Sequence, residues 1–91
     1  MRRETLKNAV LKIMTGKMEL KNVTHLEEIM RLNQDLYIDS VMMLQLIVYI
    51  EIDLKLCVPE DEVDPKAFLT VGSLLDFMED LQPLQEVNMN N

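Results

Sequence analysis

Ninety-one residues suffice for one small domain, burying roughly 60–65% of the surface that the unfolded chain exposes. A formal charge of −7 argues against nucleic acid, whose phosphates need clustered Lys and Arg, and against an anionic membrane surface. Cys57 is the only cysteine, so no intramolecular disulfide is available, and the chain suits a reducing cytoplasm.

The opening residues lack the apolar core of a signal peptide, and no apolar stretch reaches the roughly 18–20 residues that span a bilayer. The expectation is a soluble, monomeric, cytoplasmic protein. Charge is unevenly spread. Residues 1–21 hold six bases and two acids, whereas residues 22–91 hold three bases and fourteen acids. An acidic body of this kind steers basic partners toward it.

Leu6, Ala9, Val10, Ile13 and Met14 recur at helical spacing and predict an amphipathic first helix, with Gly16 as a stop. Residues 17–39 carry no strong period and read as a long loop. His25–Met30 is a candidate helical turn there, and Leu26, Ile29, Leu32 and Leu36 are the expected anchors across the core. Connections this long in a small domain are usually functional or packed by their own side chains.

From Ser40 to Ile52 the chain is strongly apolar, and its length favours a helix capped by Asp39 or Ser40. At 100° per residue two opposite stripes emerge. Met43, Leu46, Ile47, Ile50 and Leu54 suit the core; Val41, Leu44, Val48 and Ile52, with Gln45 and Glu51 among them, form the other. A helix apolar on both sides is either surrounded or presents one side to partners. So small a domain cannot easily surround it, so partner binding is expected.

Pro59 closes this unit. Asp64-Pro65 is a cap followed by proline at the first helical position, opening a short helix over Lys66–Leu69. Thr70 caps a last helix with Val71, Leu74, Leu75, Met78 and Leu81 as its stripe, ended by Pro83. Residues 1–82 are read as the domain and 83–91 as a disordered tail. The fold class expected is all-α, a four-helix bundle with a long first loop and a short third helix.

Little here suggests catalysis. His25 is the only histidine, and no ligand spacing for a metal surrounds it. Cys57, before Val58-Pro59, reads as a small apolar filler. The acidic run from Glu60 to Asp64 lacks the glycine and the ligand spacing of a calcium loop. No acid, base and nucleophile set is available, and the chain is not expected to be an enzyme. What remains is Asp39-Ser40 at the start of the apolar helix. Helix N-termini favour phosphate esters, a serine there can hold a phosphodiester-linked arm, and the preceding acid can help position a divalent cation during attachment.

Gln34-Asp35-Leu36-Tyr37-Ile38-Asp39-Ser40-Val41 resembles the acyl and peptidyl carrier protein motif D-L-G-x-D-S-L. The similarity continues in order through Glu51, Cys57-Val58-Pro59, Asp64-Pro65-Lys66-Ala67-Phe68 and Thr70-Val71-Gly72-Ser73-Leu74, spanning roughly residues 5–82. Tyr37 departs from the family glycine and Val41 from the family leucine. Met42, Gln45 and Ile52 stand where fatty-acid carriers often have acids, which favours partners with apolar docking surfaces.

The resemblance implies that Ser40 accepts 4′-phosphopantetheine from coenzyme A, with Asp39 beside it, and that the arm's thiol carries cargo as a thioester. It also implies three partners: a phosphopantetheinyl transferase, an adenylating ligase that loads the arm, and a downstream condensing synthetase. All three would dock on Val41, Met42, Leu44, Gln45, Val48, Glu51 and Ile52.

Over the whole chain the sequence is similar to stand-alone aryl carrier proteins of petrobactin siderophore biosynthesis, which implies 3,4-dihydroxybenzoyl as cargo. The alternatives are a carrier for a polyketide, nonribosomal peptide or D-alanyl pathway, or a non-carrier acidic helical adaptor.

Overall fold

A computed structural model describes residues 2–59 and 64–83. The chain is mostly helical. Helix α1 spans Arg3–Lys12 and runs into a π-helical turn, Ile13–Lys17. Helix α2 spans Ser40–Leu54, a 3₁₀ helix covers Pro65–Phe68, and α3 spans Val71–Glu79. Two short strands complete it. Leu56–Cys57 (β1) and Gln82–Pro83 (β2) pair antiparallel, Leu56 opposite Pro83 and Cys57 opposite Gln82.

The strands add a small sheet to the mostly helical fold that was expected. Lys55 adopts a left-handed conformation at the end of α2, which halts the helix before Pro59 is reached and sends Leu56 into extended pairing. Pro83, expected in the tail, belongs to β2, and α3 has already ended at Glu79. The rest of the expected tail, residues 84–91, and residues 60–63 of the acidic run lie outside the described residues.

Leu6, Val10, Ile13 and Met14 from the first helical segment meet Leu46 and Ile50 of α2 and Val71, Leu74, Leu75 and Met78 of α3 in one core. Each fully buried aliphatic side chain contributes about 1.5–3 kcal/mol relative to exposure. Gly16 does not stop the first helix. The backbone passes through it in the π-turn, with Met18 donating to the Ile13 carbonyl at 2.9 Å. Phe68 of the 3₁₀ helix lies 5.7 Å from Phe77 of α3 between ring centroids.

The long loop is fastened from both sides. Leu26, Leu32 and Leu36 are buried as expected, but Ile29 is 81% exposed. At residues 28–32 the loop's backbone is committed to residues 69–72, where the 3₁₀ helix passes into α3: Leu32 donates to the Leu69 carbonyl, Val71 to Met30, and Gly72 to Glu28, all within 3.0 Å. This pairing, rather than an apolar period, sets side-chain direction and leaves Ile29 outward. His25–Met30 forms a turn and no helix.

The capping signals act as the sequence implies. Asp64 accepts from the Lys66 amide at 2.9 Å, ahead of Pro65. Thr70 and Ser73 form a reciprocal capping box, each side chain bonded at 3.0 Å to the other's backbone amide.

Candidate functional site

Asp39, extended in backbone, is the N-cap of α2. Its Oδ1 accepts from the Met42 amide at 2.8 Å and its carbonyl accepts from Met43 at 2.9 Å. The carboxylate is thereby turned onto the helix end. Ser40 is the first helical residue and is exposed. No described side chain hydrogen-bonds its hydroxyl.

The segment leading to Ser40 is held by its own backbone. Leu36 and Ile38 are buried, Ile38 donates to the Leu32 carbonyl at 2.9 Å, and Asn33 Nδ2 donates to the Ile38 carbonyl at 3.1 Å. Arg31 donates from its amide to Asp35 Oδ2 at 2.7 Å, and its guanidinium reaches the same oxygen at 3.4 Å. That backbone bond, and secondarily the guanidinium, hold the Asp35 carboxyl below the usual carboxylate range. Tyr37 lies between the two buried residues with φ +59° and its ring outward. Burying both neighbours forces the reversal onto this residue, where a glycine would carry no Cβ penalty.

Helix α2 separates its two faces as its period requires. Leu46 and Ile50 are buried, and Met43, Ile47 and Leu54 pack partly against the core. On the other side Val41, Leu44 and Ile52 are each more than 60% exposed and Val48 is 48% exposed. Gln45 is exposed beside them and Glu51 is half-buried. Met42 differs from its expected place, because it leans onto the core. An uncovered apolar stripe continuous with Ser40 is the kind of surface that marks an interaction site.

The 3₁₀ helix adds something the sequence did not suggest. Leu69, expected within the short helix, is 61% exposed. With Phe68, Met43, Arg31 and Asn33 it lines a recess of about 510 Å³ beside the first turn of α2. No local pattern announces this recess, since its walls come from three segments brought together by the loop. Cys57 is exposed on β1 and is not the buried filler expected, because strand pairing directs Leu56 inward and Cys57 out.

An exposed hydroxyl at a helix N-terminus, above an uncovered apolar face, suits a serine that bears an ester-linked arm rather than a buried prosthetic group. The helix field favours a phosphate there, while Asp39 alongside opposes it. The anchored loop, the capped serine and the two-sided helix are the parts of a carrier domain. The chain belongs to the acyl carrier proteins, which hold a group for other enzymes and do not themselves transform it. It is 91% identical over 91 residues, the full length of both chains, to acyl carrier protein AsbD of Bacillus anthracis. No family model and no solved structure matches the chain.

Proposed function

We propose that Ser40 is the attachment point for 4′-phosphopantetheine and that the arm carries 3,4-dihydroxybenzoate as a thioester in petrobactin siderophore biosynthesis. A transferase joins the serine oxygen to the phosphorus of coenzyme A's phosphopantetheine, breaking the pyrophosphate bond and releasing adenosine 3′,5′-diphosphate. An adenylating ligase activates the acid with ATP, releasing pyrophosphate, and passes the acyl group to the thiol with release of AMP. A condensing synthetase transfers the acyl group to an acceptor and frees the thiol. The four helical segments then act as a carrier-type bundle, working as a cytoplasmic monomer. The outward stripe of α2 receives the three enzymes in turn.

One observation carries this reading. The only serine in a D-S pair is exposed at the first position of α2, at the head of an apolar stripe that nothing in the described chain covers. The chemistry of the arm comes from family membership, and the identity of the cargo from whole-chain similarity.

Intact-mass spectrometry after incubation with coenzyme A and a phosphopantetheinyl transferase tests the attachment. A single phosphopantetheine increment is expected on the wild type and none on Ser40→Ala. An unmodified wild type, or an equal increment on the variant, would favour the non-carrier adaptor. Mass analysis after loading by the ligase distinguishes a dihydroxybenzoyl increment from an aminoacyl or fatty one.

A further inference from the structure

A second recess lies at the opposite end of α2 from Ser40. It is lined by Ala9, Lys12, Ile13 and Gly16 of the first helical segment and by Asp53 and Leu54 of α2, with a volume of about 530 Å³. Ser40 and Leu54 are the first and last residues of α2, so its ends stand about 21 Å apart along the axis. The recess is outside the site described above.

Three observations bear on what it fits. Its floor is apolar, and the space beside Gly16 is open. Its wall is a π-turn, a rare widening of the helix that is frequently found at functional positions. Its rim is basic. Lys12 is exposed and makes no ion pair among the described residues; Lys17 reaches Asp53 only at 3.9 Å, a loose surface pair that an incoming carboxylate can displace.

The neighbouring basic residues divide sharply. Arg3 is taken up by Glu28, Asp76 and Glu79, and Lys7 approaches Glu4 at 3.6 Å. Lys12 and Lys17 remain exposed at the groove, on a chain whose residues 22–91 are strongly acidic. An acidic partner is therefore repelled by the body and attracted to this one end.

We infer that this groove is a second docking site, for an acidic amphipathic segment of a partner protein, its apolar side chains on Ile13 and Leu54 and its carboxylates on Lys12 and Lys17. Because the groove is remote from Ser40, such a partner retains the carrier while the arm and the outward stripe of α2 stay free for visiting enzymes. The site does not depend on what Ser40 carries.

The test uses the full-length ¹⁵N-labelled protein, a synthetic helical peptide of leucines and glutamates, and its glutamine-for-glutamate counterpart. The glutamate peptide is expected to shift the amides of Ala9, Ile13, Gly16 and Leu54. It should bind about tenfold more tightly than the glutamine peptide. Its affinity should fall as ionic strength rises from about 0.01 to 0.15 M, where the screening length shrinks from about 30 to about 8 Å. The double variant Lys12→Glu, Lys17→Glu should lose about tenfold in affinity or more with unchanged circular dichroism.

Shifts centred on Val41, Leu44, Val48 and Ile52, or equal binding of both peptides, would overturn the inference. So would a concentration-dependent dimer in sedimentation that the double variant abolishes, which would assign the groove to a second copy of the chain.

Discussion

Arg3 Nε lies 2.7 Å from Glu28 Oε2, joining the first turn of α1 to the loop that leads toward Ser40. The same guanidinium meets Asp76 and Glu79 of α3 and donates to the Gly72 carbonyl at 3.0 Å. One side chain thus ties together α1, the loop and α3. The bond to Arg3 holds the Glu28 carboxyl below the usual glutamate range and raises the Arg3 pKa.

That relationship fixes the sign of a pH effect. A carboxyl depressed in the folded state stabilises the fold above its unfolded pKa, about 4.3, and loses that contribution as pH falls through the folded value. Arg3→Ala is expected to lower the midpoint of thermal unfolding at neutral pH and to flatten its decline below about pH 4.3. Asp35 keeps its own depression through Arg31, so a residual acid slope should survive. Melting curves from acid to neutral pH check this; an unchanged slope in the variant would refute the role of the pair.

Gly72 occupies a position where helix propensity and tertiary contact conflict. A Cβ there would lie 3.1 Å from the Glu28 carbonyl oxygen and 3.2 Å from its Cβ. Alanine gains up to about 1 kcal/mol of helix propensity, whereas crowding of packed backbone costs about 1–3 kcal/mol. The loop cannot yield freely, because the Gly72 amide donates to that same carbonyl at 2.9 Å. Gly72→Ala should therefore destabilise by about 1 kcal/mol in denaturant titrations.

Two left-handed residues offer the reverse test. Tyr37 and Lys55 have φ of +59° and +53°, a conformation costing a side-chain-bearing residue about 1–2 kcal/mol. Both are exposed, so little packing is lost on truncation. Tyr37→Gly and Lys55→Gly should each stabilise by about 0.5–1 kcal/mol after the extra unfolded-state freedom of glycine is counted.

Asp39 can be divided into cap and charge. Asparagine caps as well as aspartate, and alanine does not. Asp39→Asn should leave stability within a few tenths of a kcal/mol, while Asp39→Ala should cost about 1 kcal/mol. If the carboxylate also assists attachment of the arm, both variants slow phosphopantetheine transfer. An Asp39→Asn protein modified at the wild-type rate would confine Asp39 to capping.

The two faces of α2 should respond oppositely. Ile50→Ala removes a buried side chain and should cost about 2–5 kcal/mol. Leu44→Asp and Val48→Asp alter exposed positions, where stability changes are usually within about 0.5 kcal/mol. Slower loading of the arm is expected with helicity intact. Loss of circular dichroism signal in Leu44→Asp would show that the stripe supports the fold.

What was legible in the sequence was whatever depends on neighbours along the chain. Helical spacing was enough to put Leu46 and Ile50 on one stripe and Leu44 and Val48 on the other, since a single helix has only one geometry; the packed chain shows that the first stripe is the buried one. Asp64 and Thr70 could be named as caps, and the α2 cap narrowed to Asp39 or Ser40, because the groups that caps satisfy lie two or three residues away; the structure assigns it to Asp39. Ser40 could be placed at the start of the helix for the same reason, whereas its proposed role as an attachment point rests on the resemblance of residues 34–41 to the carrier motif.

The remainder was decided by contacts between segments distant in sequence. Ile29 points outward because residues 28–32 spend their backbone groups on residues 69–72 at the start of α3. Leu56–Cys57 became a strand because Gln82–Pro83 arrives to pair with it, and that pairing is what exposes Cys57. The recess beside the first turn of α2 and the groove at its far end each need walls from separate elements. Local periodicity carries no information about them; only the packed chain brings their residues together.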